Sequence, residues 1–298
     1  MSKMSNLMPY DFMVKHTPQE AWIRGKGLLL WLAFFFSEIG AGIYFVSLFL
    51  KLQGGCLLGW LVALVLGGGL HMLYLGRPSR GILMLLKPAT SELSRGLWVT
   101  LLFGIIGLFQ VAPVVSPALP WTGTGIALTG IMGLLCVLMM SHGFLTMSGI
   151  RALPFWNSPV LLPLSVVSGI WVGSQFTALL SVLTGHGVYG AEIWARWSLF
   201  AFMAFLSVFL LGATHANRTA RFSVMHILTQ GTRAAFYIGV VAMGVIIPFV
   251  ITLLLWGTGQ EAAHPSTWIL ALRWFCVLIG DLWMRYVIMK SAHYAPLI

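Results

Sequence analysis

Eight separate stretches of this chain are long and apolar enough to cross a bilayer, and in hydrocarbon each must satisfy its own backbone hydrogen bonds because no water is there to do it. That demand leaves two architectures, a helix bundle or a closed barrel. The stretches run approximately over Gly27–Leu50, Leu57–Leu75, Gly96–Val111, Gly123–Met147, Leu161–Leu183, Ile193–Ala213, Ala234–Trp256 and Trp268–Met289. Most supply the ~20 residues a spanning helix needs, the third being the shortest. A barrel strand would need about ten residues of alternating polarity, and runs such as Leu61–Leu66 and Leu101–Ile106 do not alternate. The expected fold is therefore all-α, eight transmembrane helices in a bundle. Composition agrees: 59% of residues are hydrophobic and 8% are charged, with a mean hydropathy of +0.92, which excludes a water-soluble globule.

Little chain remains outside the spans, so residues 1–298 read as a single integral membrane domain with an extramembrane N-terminal segment, 1–26. A water-soluble catalytic or redox centre is then expected on another polypeptide. Asp11, Lys15, His16 and Glu20 precede a full-length first span with no small-residue cleavage site after it, unlike a removable signal peptide. Lys and Arg gather on one side: Lys3, Lys15, Arg24 and Lys26, then the loops around Arg77 to Arg95, Arg151, and Arg218 to Arg233, and finally Arg285 and Lys290. The other side receives Lys51, Arg196 and Arg273. The positive-inside rule places both termini in the cytoplasm, although a basic face shaped for an acidic partner would give the same asymmetry.

Into the apolar spans the chain puts a few ionisable residues, above all Glu38, His71, His142 and Asp281. Each is costly in hydrocarbon and points to a buried partner or a functional pathway. Cys56, Cys136 and Cys276 are isolated, so this chain alone offers no zinc or iron–sulfur ligand set, and small buried hydrophobes are their expected role. Nothing resembles a P-loop, a dinucleotide-binding glycine loop or a serine-nucleophile elbow, and no feature suggests nucleic acid. Gly67-Gly68-Gly69, and Gly169 with Gly173, are expected to let helices approach closely.

The most specific local sequence runs His71-Met72-Leu73-Tyr74-Leu75-Gly76-Arg77-Pro78-Ser79-Arg80, continuing through Lys87-Pro88 to Ser91-Glu92-Leu93-Ser94-Arg95-Gly96. His71 and Tyr74 share a helix face, Gly76 and Pro78 can end that helix, and the arginines emerge at the membrane boundary. This order resembles the polysulfide reductase membrane-subunit family, the NrfD/PsrC-like proteins, which carry a histidine, Leu-Gly-Arg-Pro and then Ser-Arg-Gly at this point. Ser37-Glu38-Ile39-Gly40-Ala41-Gly42, Ala152-Leu153-Pro154-Phe155-Trp156-Asn157-Ser158-Pro159, Gly239 to Pro248 and Gly280-Asp281-Leu282-Trp283-Met284-Arg285-Tyr286 extend the likeness over most of the chain. The resemblance implies an eight-helix, quinone-reactive subunit of an anaerobic respiratory oxidoreductase in a bacterial or archaeal cytoplasmic membrane. It would use menaquinone or ubiquinone and anchor an iron–sulfur electron-transfer subunit, with a molybdopterin or other catalytic subunit beyond, and it would carry no haem and no iron–sulfur cluster itself. The chain also departs from the family pattern. Ser141-His142-Gly143 stands where members often place a tyrosine two positions before a glycine, and Leu28, Leu29, Leu30 and Trp31 stand where some carry Asn and His.

A quinol gives up two electrons and two protons. On that reading Glu38, His71 and His142 are the expected proton-handling groups, with Glu38, His142, Tyr44 and Trp31 as expected quinone contacts. Arg77, Arg80 and Arg95 either dock the partner or hold the loop, since the guanidinium fork bonds carboxylates and carbonyls in pairs. Plainer roles compete. Glu38, among Phe34, Phe35, Phe36 and Tyr44, can serve as a structural hydrogen-bonding group, His71 can be capped by loop backbone, and Asp281 and Arg285, four apart on the last helix, can form a buried ion pair. Two other functions fit the same inventory. A b-type cytochrome needs two facing histidines, for which His71 and His142 are the candidates, because His186, His264 and His293 fall in loops or tails. A secondary transporter or channel would show repeated halves and broken helices; no repetition is evident between residues 27–147 and 161–289, and prolines such as Pro113, Pro117, Pro120, Pro154, Pro159 and Pro163 cluster near span ends. Pro248 lies mid-span and is expected to kink the seventh helix.

Overall fold

The computed structural model describes residues 19–116, 125–260 and 265–295. Asp11, Lys15, His16, Pro117, Pro120 and His264, together with the side chains of Glu20 and Arg80, lie outside the described residues. Within them the fold is helical, with no strand, and eight helices are long and apolar enough to cross a membrane.

In chain order these are α1 (Gly27–Phe49), α2 (Gln53–Tyr74), α3 (Glu92–Val115), α4 (Ile126–Ser148), α5 (Leu161–Leu183) and α6 (Tyr189–Ala216). A twelve-residue helix, α7 (Arg218–Thr229), follows, then α8 (Ala235–Gly257) and α9 (Thr267–Ser291). At ~1.5 Å per residue α7 is too short to span; the Asn217 side chain caps it by accepting from Ala220 N at 2.8 Å. Successive spans alternate in direction, so α1 begins and α9 ends on one membrane face, here the near face, opposite the far face.

The spans form two groups. Helices α1 to α4 pack as a ring, each against the next and α4 against α1. In the second group α5 packs on α6 and α9, and α8 on α9, while the Phe200 and Phe249 rings, 6.0 Å apart, bring α6 to α8. The groups meet where α1 crosses α5. That crossing is made of glycine: a Cβ on Gly42 would lie 2.0 Å from Gly169 O, and one on Gly173 would lie 2.3 Å from Gly42 C. Backbone touches backbone there, which is how helices associate without a hydrophobic drive in lipid.

Several boundaries differ from those expected. The third span is not short; it covers 24 residues because its polar first turn is helical, with Ser91 Oγ accepting from Ser94 N at 3.3 Å and Glu92 paired to Arg95 at 2.6 Å. Hydropathy alone discounts such a turn. Helix α2 begins four residues before the expected Leu57, and α6 begins at Tyr189, which puts Glu192 inside a membrane helix. Pro113 also lies within a helix, near the end of α3. In α8 a π-helical stretch, Ala235–Ile246, precedes the α-helical Ile247–Gly257, in which Pro248 sits in the first turn. A proline tolerates that position because it has no N–H to donate; the wider turns before it take up the mismatch.

Candidate functional site

On α9, Asp281 and Arg285 lie one turn apart and both are fully buried. Arg285 Nε donates to Asp281 Oδ2 at 2.9 Å and Nη2 to Asp281 Oδ1 at 3.2 Å. The same guanidinium reaches two other helices. Its Nη2 donates to Ser168 Oγ of α5 at 3.0 Å, and its Nη1 donates to Glu38 Oε2 of α1. One arginine thus ties three helices at the seam between the two groups, where the glycine crossing has already brought α1 against α5. A charge taken out of water is tolerable only with such complete pairing.

Glu38 is left half satisfied. Its Oε1 is buried and has no hydrogen-bond partner, and it points at Gly143 of α4, where a Cβ would lie 2.6 Å from it. Around this oxygen is a cleft lined by Trp31, Phe34, Glu38, Gly143, Phe144, Met147, Arg285 and Met289. As it stands it has room for about one water molecule. Arg285 Cζ lies 5.5 Å from the Phe144 ring centroid, and Trp31 packs on Tyr286 at 5.6 Å, so the walls are aromatic and thioether with one acid and one base. The end of α9 is held in place by the turn before α5. Trp156 is fully buried, donates from Nε1 to Ile288 O at 2.9 Å and meets Trp22 edge-on at 5.2 Å.

The structure separates the other residues singled out by sequence. Trp31 lines the cleft, but Tyr44 does not. It belongs to a second cluster inside the α1–α4 ring, fully buried, donating its hydroxyl to Gln110 Oε1 at 2.5 Å and packing on Phe103. Glu38 and Tyr44 are six residues apart, about 9 Å along α1. His142 lies next to Gly143 in sequence yet faces the other way, its ring filling the space above Gly96, where a Cβ would fall 1.8 Å from Cε1. The His71 ring stays near its own helix, with Nδ1 3.0 Å from Gly67 O, and meets the Phe34 ring edge-on at 5.3 Å. Phe34 also reaches Gly143, so it stands between the histidine side and the Glu38 cleft.

The loop arginines differ among themselves. Arg95 is a loop brace: it pairs with Glu92 and donates to Pro88 O and Ala89 O, both at 2.8 Å. Arg77 is exposed. Cys56, Cys136 and Cys276 are free and buried. Among the described residues no three His, Cys, Asp or Glu side chains are grouped to hold a metal ion.

Sequence reasoning missed one buried cluster. Near the far face, Arg273 of α9 donates to both oxygens of Glu192 of α6, at 2.5 and 2.8 Å, and to Thr252 Oγ1 of α8 at 3.5 Å. Both partners are buried. The charge count assigns Arg273 to the far side without a partner, and Glu192 falls one residue outside the expected span. The available signal was that Arg273 lies inside the expected eighth span, where a lone arginine requires a carboxylate. No protein-family profile and no curated protein matches the chain.

Proposed function

We propose that this chain is the quinone-reactive membrane subunit of a respiratory oxidoreductase, passing electrons between the lipid-soluble quinone pool and an iron–sulfur partner. The observation that carries this reading is the unpartnered oxygen of Glu38, buried in an apolar, aromatic cleft beside a fully paired arginine. A hydrogen-bond acceptor left open in such a place suits a donor that comes and goes, and a quinol hydroxyl is a donor of that kind. The loop sequence from His71 to Gly96, with its likeness to the NrfD/PsrC-like subunits, supports the same reading.

The chemistry asked of the protein is modest. Oxidising a quinol releases two protons and two electrons. Glu38 Oε1 accepts one hydroxyl proton, and Arg285 and Asp281 hold the carboxylate in place. The second proton has His71 and His142 as receivers on the other side of Phe34. The electrons leave to the partner's redox centre. Entry of a ring requires Met147 and Met289 to swing aside, which unbranched thioether side chains do at low cost. The exposed Arg77 and the exposed Ile82, Leu83 and Leu86 of the segment Pro78–Leu86 offer the near face to a partner.

The test is Glu38→Gln in the assembled complex. Quinol-linked turnover is expected to fall by roughly 10²–10⁴, the range for a lost general base, while partner subunits still co-purify. Unchanged turnover would overturn the reading.

A further inference from the structure

Buried polar groups recur along α5 and its neighbours. At its near end Ser168 Oγ accepts from Arg285. Three residues on, the indole Nε1 of Trp171 is buried without a partner, its ring stacked on Phe202 of α6 at 4.1 Å. Three residues further, Ser174 Oγ and Ser198 Oγ lie 3.1 Å apart across α5 and α6. Gln175, buried, donates from Nε2 to Ala195 O at 3.5 Å, and its Oε1 has no partner. Ala195 is one turn from Glu192, which holds Arg273, whose Nε is also buried and unpartnered.

Glu38 Oε1, Trp171 Nε1, Gln175 Oε1 and Arg273 Nε thus succeed one another from the near third of the membrane to the far third. On α9, Arg285 and Arg273 are twelve residues apart, about 18 Å of helix rise. Each unpartnered buried group costs about 1–3 kcal/mol, and ordered water relieves that cost by bridging polar groups. Trp171 Nε1 and Gln175 Oε1, one turn apart on α5, with Glu38 Oε1 before them and Arg273 Nε beyond, are the open donors and acceptors that a file of such waters requires. Deeper in the α1–α4 ring, by contrast, Tyr44 bonds Gln110 and Trp60 bonds Gly104 O.

We propose that Ser168, Trp171, Ser174, Gln175 and Ser198 line a single-file water path that carries protons between Glu38 and the far membrane face, with the Arg273–Glu192 pair at its far end. A proton added to one end of the file is matched by one released at the other, no bond to carbon changes and nothing is oxidised; Glu38 is the site where the travelling proton is taken up or given back. Glu192 is essential to this because it neutralises Arg273, whose bare charge would repel an approaching proton. The proposal does not rest on the quinone reading, since proton passage is a property of this chain alone.

The experiment uses the full chain reconstituted in liposomes loaded with a pH-sensitive dye, driven by a potassium gradient with valinomycin and without any quinone. Wild-type vesicles are expected to take up protons faster than empty ones, and Gln175→Leu to lower that excess roughly tenfold or more. Ser198→Ala, which removes one hydroxyl and keeps the fold, is expected to lower it as well and decides the matter should Gln175→Leu fail to fold. Wild-type flux no greater than that of empty vesicles overturns the proposal, as does undiminished flux in a folded variant. Either result leaves quinol-linked turnover free to stand or fall by the Glu38→Gln assay.

Discussion

Arg273 and Arg285 sit twelve residues apart on the same helix, both fully buried, and the carboxylates around them differ in number. Arg273 faces one carboxylate, and both oxygens of Glu192 are taken. Arg285 faces two, Glu38 and Asp281, plus Ser168, and one carboxylate oxygen is left over. The far cluster leaves no carboxylate oxygen open and is formally neutral. The near cluster has an acid in excess of its base, so it can hold or release a proton without leaving its arginine unpaired.

The comparison is broken or upheld first by stability. Glu192→Gln removes the carboxylate paired with Arg273 and is expected to cost about 3–5 kcal/mol, the usual penalty for leaving a buried charge alone. Glu38→Gln leaves Arg285 paired with Asp281 and retains a hydrogen-bonding side chain, so about 1 kcal/mol is expected. Thermal or denaturant unfolding in detergent reads both. Equal losses would mean that Glu38 is as structural as Glu192 and would remove the physical reason for placing chemistry at one end and not at the other.

A smaller effect is expected where the two helix groups join. Glu38 reaches Arg285 only because α1 crosses α5 at glycine contact distance, and a methyl on Gly42 would fall 2.0 Å from a backbone oxygen. Gly42→Ala must push the helices apart, at a cost of about 1–3 kcal/mol for overpacking. Gly54→Ala is the control, since nothing lies within 4 Å of a Cβ there. The sharper readout is coupling. If Gly42→Ala loosens the seam, adding Glu38→Gln to it should cost less than Glu38→Gln alone; strict additivity would show that the near cluster does not depend on the crossing.

The eight spans were legible because hydrocarbon imposes one rule on every crossing segment, and the Asp281–Arg285 spacing was legible because four residues make one turn. The remainder of the near cluster was not. Glu38 and Arg285 are separated by most of the chain, and only the Gly42–Gly169 contact, a fact of three dimensions, makes them neighbours. The direction of His142 was equally hidden: its place beside Gly143 in sequence suggests proximity to Glu38, but successive residues on a helix point about 100° apart, and Gly96 gives its ring a different home. Arg273 and Glu192 were missed for a simpler reason. Arg273 counts only as a charge marking the far side, and the expected span begins one residue after Glu192, so the pair is concealed.

The smallest expected effect concerns how the near end of α9 is held. The rings of His226 in α7 and His293 beyond α9 lie 5.3 Å apart. His226 Nδ1 is 3.4 Å from Ser291 Oγ, which is 2.8 Å from Thr232 Oγ1. Burial first, and then the nearby positive charge of His293 and Lys290, hold the His226 pKa below its ordinary 6.5. Between that lowered value and 6.5 the folded chain binds fewer protons than the unfolded one, so stability rises with pH in this window and is lost as pH falls through it. Denaturation midpoints taken from about pH 8 to about pH 5 should decline for the wild type below about 6.5 and decline less for His226→Gln, which keeps a hydrogen-bonding side chain but does not titrate. The Glu192→Gln variant should show the wild-type slope, because its defect lies at the other end of the helix. If His226→Gln and wild type decline in parallel, the histidine pair plays no part in fastening the near end, and the hold on Arg285 falls to Trp156 and the turn before α5.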